Sequence, residues 1–238
     1  MGDREAARRG GVEALYPFLY PGGQGDLGAV LEEVRRSTAE KAAEITGLRR
    51  RIVEQEAAAL ARCATAMAAS FAAGGRLFTF GNGGSSTDAQ GVATAFLYPV
   101  YGRPLPASCL TSDVAVVTAL SNDVGFDVVF ARQLGALGRR GDIAFGLSTS
   151  GGSANVIRAF EEASRLGMVS VGMAGDQGGR MAELDALDHL FVIPSTSVHR
   201  IQEAQTTLCH ILRELTHLAL EATAALRDDG SYRAGAVG

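Results

Sequence analysis

Apolar positions between residues 27 and 73 recur at the spacing of one helix face, in a stretch rich in alanine and glutamate. We expect two helices here, with a break near Gly47 and an end at Gly74 and Gly75. Glycine weakens a helix interior and often follows a helix end, which motivates both boundaries. We expect this N-terminal helical pair to drive oligomer formation.

After Gly75 the pattern changes to short apolar runs that alternate with helical segments. The runs predict strands at 76–80, 107–110, 142–147, 169–173 and 189–192. The segments between and after them predict helices at 85–98, 113–121, 126–137, 153–166, 181–187 and 198–227. Short apolar strands that alternate with helices are typical of an α/β fold, with a parallel sheet covered on both faces. We expect a doubly wound five-stranded parallel sheet in a single domain over residues 26–227.

At the two ends of the chain, apolar positions show neither the helical spacing nor the short runs that predict strands. Residues 1–25 hold glycine, proline and aromatics, and they predict an irregular N-terminal arm. Aromatic side chains are costly to leave in water. The arm therefore either packs on a neighbouring subunit or forms a mobile tail. Residues 228–238 contain three glycines and predict a flexible tail.

Composition excludes several classes of protein. Hydrophobic residues make up 47% of the 238 residues and charged residues 20%, which indicates a globular protein. The net charge of −4 argues against a nucleic-acid partner. No apolar run reaches the roughly 20 residues of a membrane span, and the first residues lack the apolar core of a signal peptide. The cysteines, Cys63, Cys109 and Cys209, have no zinc or disulfide spacing, so we expect reduced thiols and a cytoplasmic location.

Two similar loops carry the chemistry. Gly81-Asn82-Gly83-Gly84-Ser85-Ser86 follows the first predicted strand, and Ser148-Thr149-Ser150-Gly151-Gly152-Ser153 follows the third. Each enters a predicted helix, where backbone N–H groups, the helix dipole and hydroxyls together form an anion site. Ligands of such sheets bind at the carboxyl ends of strands. The pair predicts binding of a phosphorylated small molecule with several hydroxyls. An ordinary turn, with Ser153 as a helix cap, remains the alternative.

Four segments resemble one known family. They are Gly81-Asn82-Gly83-Gly84-Ser85 with Asp88-Ala89-Gln90, then 119–126, then 147–156, then Arg200-Ile201-Gln202-Glu203. In this order they resemble SIS (sugar isomerase) domains, and most closely the phosphoheptose (sedoheptulose 7-phosphate) isomerase branch. The resemblance runs from about residue 30 to residue 222. It implies an SIS-type fold and a homotetramer whose sites are shared between subunits.

The resemblance also implies roles for particular residues. Ser148, Thr149, Ser150 and Ser153 would hold the phosphate, while Asn82, Gly83 and Ser85 would contact the sugar chain. Asp123 could reach the pocket, or it could be a turn aspartate after Asn122. Isomerases of this family move a proton between C1 and C2 through an enediol. They use a glutamate base and a histidine, and they hold a divalent metal, commonly zinc.

This chain keeps only half of that acid/base and metal set. Gln202 and His210 match the glutamine and histidine of the last helix, but Gly91 stands where a histidine is expected and Ala95 where the glutamate base is expected. Neither can remove a proton from carbon or bind zinc. We therefore expect no metal cofactor. Glu203 is a candidate replacement base, although neighbouring helix positions point about 100° apart.

Other candidate residues have structural alternatives. His210 either contacts the ligand or is a hydrogen-bonded interface histidine, and Asp88 is expected to cap a helix. Two functions remain open at this point. One is a phosphosugar isomerase with an altered acid/base and metal set. The other is a phosphosugar-binding protein without chemistry, which acts as a sensor or assembly factor with an unidentified protein partner.

Overall fold

The computed structural model describes residues 27–234, with side chains described for residues 28–225. Its helices are α1 (Leu27–Ala72), α2 (Gly84–Leu97), α3 (Val114–Asp123), α4 (Val129–Leu137), α5 (Ala154–Leu166) and α6 (Val198–Ala234). Its strands are β1 (Leu77–Gly81), β2 (Ala107–Cys109), β3 (Ile143–Ser148), β4 (Val169–Gly175) and β5 (His189–Ile193). Short 3₁₀ helices cover Phe126–Val128 and Gly179–Glu183.

The described residues form two compact units, one ending at Thr46 and one beginning at Gly47. In the first unit, α1 carries exposed ion pairs between Arg36 and both Glu33 and Glu40. The second unit contains the sheet and the remaining helices. No helix within residues 27–234 has both the length and the apolar character that a transmembrane span requires.

The expected break at Gly47 is wrong, because α1 is one helix of 46 residues from Leu27 to Ala72. A single glycine costs a helix interior only about 1 kcal/mol, which neighbouring alanines and glutamates can offset. The N-terminal helical region is therefore present as a continuous helix instead of a pair. The other end of this helix follows the prediction, since Gly74 adopts a φ of 86° just beyond it.

The five strands of the described chain form one parallel sheet in the order β2-β1-β3-β4-β5. The α/β fold predicted from the alternating pattern is confirmed. All residues of β1 and β3 are buried, as expected for central strands with helices on both faces. Phe80 of β1 packs against Phe130 of α4 and Phe160 of α5, with ring centroids 5.5 and 5.3 Å apart.

Two elements in the C-terminal part of the chain differ clearly from the sequence prediction. The predicted helix at 181–187 is a 3₁₀ helix over Gly179–Glu183, entered through Gly178 and Gly179, both with positive φ. The last helix, α6, continues to Ala234, beyond the predicted end at Arg227. The helix therefore includes residues 228–234, which the sequence predicts to be part of a tail. The flexibility of residues 228–238 stays a prediction.

Candidate functional site

The two glycine- and serine-rich loops begin side by side. Gly81 at the end of β1 pairs with Leu147 near the end of β3. From β1 the chain crosses to β2 on one side and later returns to β3 on the other. In this strand order the crevice between the first and third strands is the topological switch point, where ligands of open α/β sheets bind.

Three serine hydroxyls converge in the loop after β3. Ser148 is 3% exposed, and its Oγ lies 3.1 Å from Oγ of Ser153 and 3.5 Å from Oγ of Ser150. The Gly152 N–H donates to Oγ of Ser150 at 3.2 Å, which holds that exposed side chain over the loop. Thr149 is half-buried and makes no hydrogen bond to these serines among the described residues. Three of the four predicted hydroxyls therefore form one cluster.

Neither helix that leaves the two loops is capped by a side chain. Gly83 is the N-cap of α2, and Ser153 is the N-cap of α5, but the Ser153 hydroxyl pairs with Ser148. By contrast, the Asp113 side chain caps α3 by accepting from the Val116 N–H at 3.1 Å. The first N–H groups of a helix have no partner within it, and they attract anions. The two uncapped N-termini at the switch point are therefore suited to an anionic ligand.

Gly151 is held in the second loop by a neighbouring segment. Its φ is 62°, and a Cβ at this position would run into the carbonyl of Gly178. The Met181 N–H donates to the Gly151 carbonyl at 2.9 Å. The turn before the Gly179–Glu183 helix thus fixes the shape of the serine loop, and it does so by backbone contacts that require glycine.

A reciprocal pair of amides joins the two loops. Nδ2 of Asn82 donates to Oδ1 of Asn155 at 2.8 Å, and Nδ2 of Asn155 donates back to Oδ1 of Asn82 at 2.9 Å. Asn155 is buried in the first turn of α5. In the structure the Asn82 side chain thus connects the first loop to the start of α5. Its predicted contact with the sugar chain stays a prediction, as do those of Gly83, which is exposed, and Ser85, which is buried.

Gln202 of α6 reaches across to the start of α2. Its Nε2 donates to Oδ2 of Asp88 at 3.2 Å, and its amide packs against Gly84, where a Cβ would collide with it. Asp88 lies inside α2, whose N-cap is Gly83, so the expectation that Asp88 caps a helix is wrong. Burial raises the pKa of the Asp88 carboxyl above its usual value, and the hydrogen bond from Gln202 opposes that shift.

Asp88 and His210 line the same cavity. It has a volume of about 130 Å³ and lies between α2 and α6. The lining residues are Thr87, Asp88, Gly91, Val92, Ala95, Phe96, Thr206, Cys209 and His210. Gly91 and Ala95, where the resemblance implies a histidine and a glutamate, thus line the same cavity as His210. The His210 side chain is exposed, while burial raises the pKa of the neighbouring Cys209 thiol far above its usual value, with the Asp88 charge adding to the shift.

His210 is the predicted site residue that lines this cavity, whereas Glu203 and Asp123 lie outside its lining and outside the serine loop. The Glu203 carboxylate accepts from Nη1 of Arg200 at 2.6 Å, in an ion pair whose arginine side chain is 9% exposed. Asp123 is exposed at the end of α3, where Oδ1 accepts from Nδ2 of Asn122 at 2.8 Å. The structure places Glu203 in a charge pair and Asp123 in a local turn contact. Their roles in catalysis and binding stay predictions.

The residues present do not fit the zinc site of the resembled family. Positions 91 and 95 offer no donor atom, which leaves Gln202 and His210 of the implied ligand set. Zinc sites in proteins draw three or four ligands from histidine, cysteine and carboxylate side chains. Within residues 27–225, no three such side chains come together as a potential metal-binding group. His210 is therefore the one implied histidine that could contribute, and the expectation of no metal cofactor stays a prediction.

A sequence profile of the SIS domain matches residues 42–175. The chain belongs to the SIS domain family. It is 45% identical over 183 residues to a phosphoheptose isomerase of Desulfovibrio desulfuricans, an alignment that covers 75% of this chain and 86% of the relative. A phosphoheptose isomerase of Roseiflexus is 41% identical over 175 residues, with 73% of this chain and 88% of the relative covered.

Solved structures of the same branch share the fold. The phosphoheptose isomerase of Neisseria gonorrhoeae superposes with a TM-score of 0.71 at 34% identity, over 77% of this chain and 98% of the other. That of Francisella tularensis gives a TM-score of 0.68 at 31% identity, over 76% and 98% of the two chains. The SIS resemblance stated from the four sequence segments is thereby confirmed. The chain is a phosphoheptose isomerase-like SIS protein.

Sequence reasoning missed three contributors to this site. Asp88 is predicted to cap a helix, although its spacing to positions 91 and 95 places all three on one helix face. Asn155 lies within the 147–156 segment, and no local signal in the sequence pairs it with Asn82. Gly178 approaches Gly151 from a distant turn, a contact that a single sequence without its fold does not reveal.

Proposed function

We propose that this protein binds a phosphorylated sugar and interconverts its aldose and ketose forms with an altered acid/base set. The phosphate is held by the serine cluster and the N-terminus of α5. The sugar chain runs past Asn82 and Gly83 toward the cavity that His210 lines. The substrate class is a phosphorylated ketose such as sedoheptulose 7-phosphate, in keeping with the names of the relatives. The homotetramer implied by the resemblance stays a prediction.

The convergence of Ser148, Ser150 and Ser153 at the switch point carries this proposal. Hydroxyls and uncapped helix amides at one point offer many donors to a phosphate without any nearby lysine or arginine in the loop. Identity above 40% to phosphoheptose isomerases supports a sugar phosphate over other anions. The reciprocal amide pair then places this anion site next to the loop that leads to α2 and its cavity.

Removing two hydroxyls of the cluster tests the phosphate assignment. Ser148→Ala combined with Ser150→Ala is expected to weaken sedoheptulose 7-phosphate binding by about 100-fold or more. Each lost hydrogen bond to a charged group costs about 1.5–3 kcal/mol. Isothermal titration calorimetry measures the affinity. Ser164→Ala, in the exposed last turn of the same helix α5, is the control and should bind like the wild type. Equal affinity of the double variant and the control would refute the assignment.

Hydrogen exchange in deuterated water tests the isomerisation. Wild-type protein incubated with sedoheptulose 7-phosphate is expected to incorporate deuterium at C1 and C2, which NMR detects. His210→Ala should reduce the rate by about 100-fold or more, the usual contribution of an acid/base group, while phosphate binding persists. Absence of exchange in wild-type protein that binds the sugar would refute the isomerase part of the proposal and leave the binding part standing.

The second candidate is phosphosugar binding without isomerisation. The observation that favours it is the open helix face at Gly91 and Ala95, where the family base and one metal ligand are missing. In this case the protein acts as a sensor or assembly factor. Binding in calorimetry, with no exchange in deuterated water, is the expected pattern for this alternative.

A further inference from the structure

We propose that Asp88 is the general base that replaces the carboxylate missing at position 95. This inference rests on the isomerase function proposed above, and it names the residue that removes the proton. Asp88 and His210 then form the acid/base pair of the cavity between α2 and α6.

The helical geometry places Asp88 on the required face. Positions 88, 91 and 95 are separated by three and four residues, and such spacings bring side chains onto one side of a helix. All three residues line the cavity that also contains His210. The Asp88 carboxylate thus lies about two turns before position 95 on the same face and opens into the same space.

Positions 91 and 95 carry no large side chain that could separate Asp88 from a ligand in the cavity. Gly91 has no Cβ, and a Cβ added there would meet no atom within 4 Å. The cavity of about 130 Å³ is close in volume to an engineered protein cavity of about 150 Å³ that binds benzene. This space suits the reacting C1–C2 end of an open-chain sugar, and the remainder of the chain and the phosphate must lie outside it. A substrate end that enters so deeply can reach a carboxylate nearer the start of α2.

The Asp88 carboxylate is held in place and keeps one oxygen available. Oδ2 accepts from Nε2 of Gln202, which itself packs against Gly84 at the start of α2. Oδ1 has no hydrogen bond to any residue within the described part of the chain. The rival carboxylate, Glu203, is paired with Arg200 at 2.6 Å and does not line the cavity. Of the two carboxylates, Asp88 is therefore the one positioned to receive a proton.

The reaction balances with these two residues alone. Asp88 takes a proton from C1 of the ketose, and the C–H electron pair forms the C1=C2 double bond. The π electrons of the C2 carbonyl move to O2, which takes a proton from protonated His210. The resulting enediol then loses the O1 proton to His210, while Asp88 returns its proton to C2. The products are the aldose, ionised Asp88 and protonated His210, so both residues regain their starting state.

The test compares Asp88→Asn with the wild type. The asparagine Oδ1 can still accept from Gln202 but cannot take a proton from carbon. We expect deuterium exchange at C1 and C2 of sedoheptulose 7-phosphate to fall by about 100-fold or more, with binding affinity within a few-fold of wild type. Asp127→Asn is the matched control, because that carboxylate pairs with Arg158 on the surface and does not line the cavity. Asp88→Ser removes the same carboxylate and gives an independent measurement if Asp88→Asn does not fold.

The outcomes separate this inference from the function on which it rests. If the wild type exchanges deuterium and both Asp88 variants exchange it at a similar rate, Asp88 is not the base. The isomerase function then remains intact. Loss of exchange in Glu203→Gln with retention in Asp88→Asn would identify Glu203 as the base instead. Wild-type protein that binds the sugar phosphate but never exchanges deuterium refutes the isomerase function, and the role of Asp88 with it.

Discussion

In the Asp88→Asn protein, which lacks the proposed base, replacing Gly91 with histidine and Ala95 with glutamate together is expected to raise deuterium exchange into sedoheptulose 7-phosphate by about 100-fold or more. The double variant should also bind about one zinc ion per chain, whereas the wild type should bind none. The two new side chains would stand one helical turn apart on the face that lines the cavity, opposite His210. Exchange measured by NMR and metal content measured by elemental analysis report the two effects.

The structure has room for these side chains. A Cβ at Gly91 meets no atom within 4 Å, and Ala95 borders the open cavity. Gly91→His with Ala95→Gln is the matched control, since glutamine has the size of glutamate without its basic carboxylate. This control should fold and show no gain in exchange. A folded glutamate variant that contains zinc and still exchanges no faster than the control would show that another defect limits the reaction.

Gly151→Ala is expected to lower sugar-phosphate affinity on the order of 100-fold and stability by about 2–4 kcal/mol. Gly151 has a φ of 62°, which costs an alanine about 1–2 kcal/mol. The added methyl group also collides with the Gly178 carbonyl, a backbone atom that cannot rotate away. The serine loop must shift, and the hydrogen bonds from its hydroxyls to the phosphate lose their geometry. Calorimetry gives the affinity and denaturant unfolding gives the free energy of unfolding.

The adjacent glycine provides the control for this effect. A Cβ at Gly152 would meet only Oγ of Ser150 at 3.7 Å, an ordinary contact, and the φ of Gly152 is not positive. The free energy of unfolding of Gly152→Ala should therefore lie within about 1 kcal/mol of the wild-type value. Similar losses in both variants would mean that the loop tolerates no side chain at all, and that contact with Gly178 is not the cause.

Much of the fold was predictable because its signals are local. The apolar runs that become β1 and β3 are fully buried strands, and each is followed by the glycines of a tight turn. The position of the anion site follows from these runs and from the general rule for parallel sheets. The break predicted at Gly47 is wrong because a single glycine does not show how strongly the surrounding residues stabilise a continuous helix.

The candidate site was less predictable because its contacts join distant segments. Gln202 lies 114 residues from Asp88, and Asn82 lies 73 residues from Asn155. Hydrogen bonds over such separations depend on the completed fold and leave no pattern in the sequence. For the same reason Glu203 could be considered as a base, since its pairing with Arg200 emerged only with the structure.

The Asn82–Asn155 pair fixes two parts of the crevice relative to each other. One amide belongs to the loop that leads to the cavity, and the other belongs to the helix whose N-terminus faces the proposed phosphate. The two hydrogen bonds fix the first loop against the start of α5, and in the proposed binding mode this contact sets the distance between the phosphate and the point of proton transfer. The protein would then select sugars by chain length, that is, by the number of carbons between the phosphate and the carbonyl.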